Sequence, residues 1–197
     1  MGPTTIRALT LTEMMVTMAV FALVVLAMVS LQVFGFRINS LSSGKMKYTD
    51  DSLNALDQIR NQVLGATNTV LIGNINTGNN QFTALAINSL GIGNAVQISN
   101  NANSYVTFYL NTNTHVLYEL GSATNSQPLT LAHSIFNYQP FQIENYQGTN
   151  ILVGASGHYT IKMTLQFSNL VYTLPTSTYD TYRLESRATP REQYQNN

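Results

Sequence analysis

The chain has 197 residues with nine basic and nine acidic side chains, and charged residues make up only 9% of it, against about 25% in an ordinary soluble domain. Neutrality excludes the basic footprint of a nucleic-acid binder, and a 44% hydrophobic content excludes a chain too polar to fold. The absence of cysteine rules out disulfides, thiolate catalysis and Cys-based zinc sites.

The first element in chain order is an apolar run over residues 14–36, which carries no charge in 23 residues. A helix of that length spans roughly 35 Å, more than the hydrocarbon core of a bilayer. A buried soluble helix would show a polar face, and this run shows almost none. A secretory signal has a shorter apolar core followed by a small-residue cleavage site, and residues 34–40, FGFRINS, offer none. The run therefore reads as a membrane-inserted helix. Glu13 stands at its edge. A carboxylate costs about 2.5–3.5 kcal/mol at mid-bilayer, while about a dozen Leu, Val and Phe return roughly 4–7 kcal/mol, so insertion prevails. A carboxylate at that place is a candidate functional group in its own right.

Residues 7–16, Arg-Ala-Leu-Thr-Leu-Thr-Glu-Met-Met-Val, resemble the processing motif of the type IV prepilin family. In that family a short basic leader ends in Gly or Ala, a prepilin peptidase cuts there and methylates the new terminus, and a glutamate follows at the fifth mature position. The resemblance implies a leader over residues 1–8, a cut between Ala8 and Leu9, Leu9 as the methylated terminus, and Glu13 as the assembly carboxylate. Thr10, Leu11 and Glu13 match the motif, whereas Ala8, Leu9 and Thr12 depart from its commonest residues. It further implies that Glu13 pairs with the terminal amine of a neighbouring subunit, since two charges in a low-dielectric bundle compensate each other only when adjacent. The basic residues Arg7 before the run and Arg37, Lys45 and Lys47 after it do not by themselves favour a cytoplasmic N-terminus. The resemblance does, because the peptidase works on that side.

After the membrane segment, residues 37–67 continue as helix, with an interruption expected near Ser42-Ser43-Gly44. Leu53, Leu56, Ile59 or Arg60, Val63 and Ala66 recur at helical spacing on one face. Asp50, Asp51, Asp57 and Arg60 take the other, and the aspartates match no calcium loop. From residue 68 the period changes to two. Residues 159–168 alternate strictly, Tyr159, Ile161, Met163, Leu165 and Phe167 against Thr160, Lys162, Thr164, Gln166 and Ser168, as a half-buried antiparallel strand does. Residues 105–110 and 115–120 predict a hairpin around the loop Asn111-Thr112-Asn113-Thr114. Further strands are expected at 70–72, 82–87, 95–99, 134–138, 142–146 and 182–187, with loops at 73–80, 99–103 and 121–127. Between Arg60 and Asp180 only Glu119, Glu144 and Lys162 are charged, so amides and hydroxyls wet this surface.

This carboxyl part resembles the J-type minor pseudopilins of type II secretion and their minor-pilin relatives, on the segments YVTFYLNTNTHVLYEL, PLTLAHSIFNYQPF, IKMTLQFS and YRLESRATPRE. Glu119 and Glu192 replace an arginine and an asparagine usual there. Recognisable chemistry is lacking. His115, His133 and His158 fall on separate elements, Ser156 in GASGH has no strand-to-helix turn, and Gly91-Ile92-Gly93 lacks the helix that a phosphate loop needs.

The expected fold is α+β: a long N-terminal helix, membrane-inserted over residues 9–36 and amphipathic over 37–67, packed on an antiparallel β head over 68–197. The resemblance implies a structural subunit of the bacterial inner membrane. It also implies a cytoplasmic N-terminus, a periplasmic head and assembly with other pilins or pseudopilins through the helix. From the residues themselves no catalytic residue, cofactor, metal or nucleic-acid partner is expected. A tip subunit with a binding head and a membrane-anchored β domain of other function are the alternatives.

Overall fold

The computed structural model describes residues 10–76, 78, 80–101, 104–123, 126–154, 158–172 and 178–191. Residues 1–8, Leu9, Ser156 and Glu192 with the tail after it lie outside the described residues. The chain divides into two compact units, Met1–Gly44 and Lys45–Asn197.

The first element, α1 (Leu11–Gly65), is one 55-residue helix. It runs through Ser42-Ser43-Gly44 without the expected interruption. Helical hydrogen bonds need no particular side chain, and a single glycine costs a helix only about 1 kcal/mol. In the first unit the stretch Leu11–Asn39 is long and apolar enough to cross a membrane, and its side chains are exposed throughout.

In the second unit α1 buries Ser52, Ala55, Leu56, Ile59 and Val63, and Ala66 just beyond its end is buried with them. Leu53, expected on that face, is 45% exposed, because the buried stripe runs through Ser52 and Ala55 instead. Each fully buried Leu, Ile or Val there contributes about 1.5–3 kcal/mol. Asp50, Asp57 and Arg60 are exposed as expected.

The strands are β1 (Val70–Asn76), β2 (Gln81–Ala84), β3 (Ile92–Gly93), β4 (Ala95–Asn101), β5 (Ser104–Asn111), β6 (Val116–Gly121), β7 (Leu129–Ala132), β8 (Phe141–Glu144), β9 (Thr160–Tyr172) and β10 (Thr178–Ala188). They form a six-stranded sheet in the order β2-β1-β4-β5-β6-β7 and a four-stranded sheet in the order β10-β9-β8-β3, with antiparallel pairing throughout. The fold class is therefore α+β. One core unites the α1 stripe with Val96, Ile98, Phe108, Leu110 and Leu117 of the first sheet and Phe141, Ile161, Met163, Leu165 and Phe167 of the second. The expected alternation of β9 holds: Ile161, Met163, Leu165 and Phe167 have no exposed surface.

Several expectations need correction. Residues 73–80, expected as a loop, instead carry β1 as far as Asn76 before the turn into β2. β2 covers Gln81–Ala84 rather than the expected 82–87, although the Leu85 N–H still donates to the Ile72 carbonyl of β1. The hairpin between β5 and β6 shifts by one residue: Asn111 pairs with Val116, and His115 belongs to the turn with φ 57°. The side-chain oxygen of Asn111 accepts from the backbone N–H of Asn113 and Thr114, which pulls the turn forward. Residues 134–138 form no strand, since Ser134 sits at φ 61°. Ile135 makes a single bridge to Phe167, and the Asn137 side chain then takes over as backbone surrogate, donating to the Thr164 carbonyl and accepting from the Gln166 N–H. Strands β3 and β7 were not expected; β3 has only two residues and β7 four, too few to show a period.

The two sheets are joined by a continuous stretch of backbone. β3 lies in the second sheet, and one residue later β4 lies in the first. Asn94 makes the transfer: its N–H donates to the Asn74 side chain, its own side chain accepts from the Ile75 N–H, and its carbonyl accepts from the Leu110 N–H. The crossing requires glycine. A Cβ on Gly93 would fall on the Gly73 carbonyl oxygen and lie 2.9 Å from Ile72 Cγ2. Because the obstructing atom is backbone, it cannot rotate away. Gly93→Ala should therefore lower unfolding stability by about 2–3 kcal/mol, as an overpacked core does. Gly65→Ala, where nothing lies within 4 Å, should be neutral or slightly stabilising. Urea unfolding of both variants checks the contrast, and equal midpoints would contradict it.

Candidate functional site

Two places carry charge in unusual surroundings. The first is the start of α1. Thr10 stands immediately before the helix and Glu13 in its first turn. The Glu13 carboxylate accepts from the Thr10 N–H and hydroxyl, both at 2.9 Å, and the Glu13 N–H faces the Thr10 hydroxyl oxygen at 3.4 Å. This is a reciprocal capping box, in which two donors without partners at a helix N-terminus are satisfied by side chains. The carboxylate also sits at the positive end of the helix dipole. The signal, Thr at 10 and Glu three residues later before an apolar run, stands in the sequence. The prepilin resemblance implies an intermolecular partner for Glu13; the structure adds an intramolecular one, Thr10. Ala8 and Leu9, the expected processing residues, lie outside the described residues.

The second place is the polar face of the four-stranded sheet. Glu144 at the end of β8 is 2% exposed, yet ionised. Lys162 of β9 reaches one carboxylate oxygen at 2.9 Å, and Arg187 Nε of β10 reaches the other at 3.1 Å. Register explains the convergence, since Arg187, Lys162 and Gln142 stand directly opposite one another and Glu144 is the next residue on that face of β8. Burial by itself pushes the Glu144 carboxyl up. The hydrogen bonds and charges of Lys162 and Arg187 outweigh burial and hold it below its ordinary value. Arg187 extends the network to Glu185, which also pairs with Arg183. Five charged groups thus gather on one sheet face of a chain nearly devoid of charge. In the sequence Glu144 and Lys162 stand 18 positions apart with nothing to join them except their isolation in a neutral stretch.

The third charge of that stretch, Glu119 on β6, accepts from Gln58 Nε2 of α1 at 2.6 Å and so ties the helix to the first sheet. The histidines stay apart. His115 stacks on Phe136 with ring centroids 4.4 Å apart and its Nδ1 lies 3.1 Å from the Ile135 carbonyl, while His133 and His158 are exposed. Among the described residues no three His, Asp or Glu side chains converge as metal ligands would. Gly91 and Gly93 pack against backbone and Ile143 rather than opening onto a phosphate-sized hollow.

The ionic cluster predicts a pH and mutational response. Glu144→Ala strands Lys162, which is only 14% exposed, beside an Arg187 that can still reach water. The loss should be about 2–3 kcal/mol, toward the lower end for a broken buried pair. Because the folded-state pKa of Glu144 is depressed, its contribution is present above pH 4.5 and lost as pH falls through the folded value. The stability gap between wild type and Glu144→Gln should therefore be constant near neutrality and close below pH 4.5. Urea titrations at a series of pH values read this directly; a gap that persists in acid would show that the carboxylate charge contributes nothing. No family model, curated protein or solved structure matches this chain.

Proposed function

We propose that the chain is a structural minor pseudopilin or pilin subunit, cut by a prepilin peptidase between Ala8 and Leu9 and assembled into a filament through α1. The observation that carries this reading is the composition of that one helix. Its first unit is a 29-residue apolar stretch with exposed side chains and a single carboxylate, Glu13, at its start. In the second unit its far end is a core element of a β domain. An apolar surface of that length needs either lipid or the helices of other subunits to cover it. The bacterial inner membrane is the proposed starting location, with the β domain on the periplasmic side.

Glu13 holds two roles that one substitution can separate. As a cap it needs only an acceptor at the third helical position, which Gln also provides. As the partner of a neighbour's terminal amine it needs charge. Glu13→Gln should insert and be cut normally but be recruited poorly, because an unpaired amine in a low-dielectric bundle costs about 3–5 kcal/mol, or roughly two to four decades in association. Co-purification with cross-linked filament subunits measures recruitment, and mass spectrometry of the membrane form should find a methylated Leu9 terminus. Full recovery of Glu13→Gln in filaments would reduce Glu13 to a cap. An uncut chain would remove the pilin reading altogether.

A further inference from the structure

The six-stranded sheet turns one face to the core, and its other face departs from an ordinary wet surface. Val96, Ile98, Phe108, Leu110 and Leu117 point into the core, so the residues between them point away from it. Register sets Gly73, Ala95, Tyr109 and Tyr118 abreast on β1, β4, β5 and β6, with Leu71, Gln97, Thr107 and Leu120 as the next row. An antiparallel sheet with one solvated face alternates apolar inward and polar outward. Here Ile75, Ala95 and Tyr109 build a second, smaller apolar cluster on the outward face, and Phe82, Tyr118 and Leu120 pack against it while remaining half-buried. Tyr118 stacks on the buried Tyr109 with ring centroids 5.4 Å apart. Leu71 and Tyr105 extend the same face as exposed side chains.

This face also carries no charge. Between Arg60 and Asp180 only Glu119, Glu144 and Lys162 are charged. Glu119 reaches Gln58 of α1 on the core side, and the other two belong to the second sheet. Protein interfaces are enriched in arginine and rimmed by polar groups, and a polyanion needs cations to meet it. The face offers neither arginine nor lysine. It offers rigid rings beside neutral hydrogen-bonding groups: the phenols of Tyr105 and Tyr118, the Gln97 amide and the Ser99 hydroxyl. A sugar ring matches that pairing, with an apolar C–H face and a rim of uncharged hydroxyls, so surface and ligand agree in having no charge. An open sheet face suits a chain lying across it, whereas a small ligand needs an enclosing cavity. Phe82 on β2 and Tyr118 on β6 stand four strand spacings apart, roughly 19 Å, which asks for several linked sugars rather than one. We infer that the outward face of the six-stranded sheet binds a neutral polysaccharide, with Phe82, Tyr105 and Tyr118 as its ring platforms. Binding of this kind needs no filament.

The test uses the full chain in micelles of a detergent without a sugar headgroup. Co-sedimentation with insoluble cellulose and chitin reads binding to neutral polymers, and alginate and chitosan gels supply a polyanion and a polycation. The protein should sediment with at least one neutral polymer, and raising the salt about tenfold should leave that binding unchanged, because no ion pair forms. Tyr118→Ala and Tyr105→Ala should each weaken it roughly three- to tenfold, while Tyr118→Phe, which keeps the ring, should bind nearly as well. Tyr105 packs in neither apolar cluster, so its replacement leaves the fold intact even where that of Tyr118 does not. Tyr146→Ala removes a tyrosine that is more exposed, 85% against 40% for Tyr105, from the turn after β8 and should change nothing. No sedimentation with either neutral polymer, binding only to alginate or chitosan and abolished by salt, or an equal loss in Tyr146→Ala would overturn the assignment. So would a Tyr105→Ala variant that turns a dimer into a monomer while binding polymer as the wild type does, since a second copy would then cover the face. None of these outcomes bears on cleavage at Leu9 or recruitment through Glu13, so the two readings fail separately.

Discussion

The architecture depends on one steric constraint, the near-contact of two backbones at Gly73 and Gly93. There the chain leaves the four-stranded sheet as β3 and enters the six-stranded sheet as β4 within a single residue. Because the transfer is covalent, the two sheets cannot slide relative to each other, and their inner faces are held at the spacing that Phe108, Phe141 and Phe167 fill. The helical stripe from Ala55 to Val63 packs into the same core. A side chain at the crossing would force the sheets apart and open the core, so glycine is required there for close approach rather than for an unusual φ.

Asparagine completes what the backbone leaves open. At the crossing Asn74 and Asn94 exchange side-chain bonds with main-chain N–H groups. Asn137 continues the ladder beside β9 where Ser134 has broken it. Asn145 accepts from the N–H groups of Gln147 and Thr149, closing the turn that follows β8. An Asn side chain carries the donor and acceptor of a peptide group on a short tether, so it replaces a ladder bond where geometry denies a backbone one. An Asn-rich composition that looks like solvation in the sequence is therefore partly internal structure.

The scarce charges follow the same logic. Glu144 and Lys162 bind each other beneath Arg187, and Glu119 receives Gln58 from the helix. All three charges between Arg60 and Asp180 are thus engaged with partners in the fold. A buried ion pair adds little net stability over an apolar replacement, but it penalises any register that separates its members. Here it aligns β8, β9 and β10, the strands whose alternating apolar residues alone would tolerate a two-residue shift.

What the sequence by itself determined was whatever depends on local period and length: the apolar run and its Glu13, the helical spacing of Leu56, Ile59 and Val63, the alternation of Ile161, Met163, Leu165 and Phe167, and hence the α+β class. Those features come from the repeat of one element against water or lipid, which a linear pattern records. The capping box of Thr10 and Glu13 was equally local and equally legible. The tertiary structure alone decided the rest. It turned the buried stripe of the helix toward Ser52 and Ala55 rather than Leu53, replaced the strand expected at residues 134–138 by a single bridge at Ile135, and created β3, too short to show a period. It also gathered Glu144, Lys162 and Arg187 from three strands. Each of these is set by pairing across long separations in the chain, where the partner, rather than the neighbouring residue, determines which side chain is buried, bonded or charged.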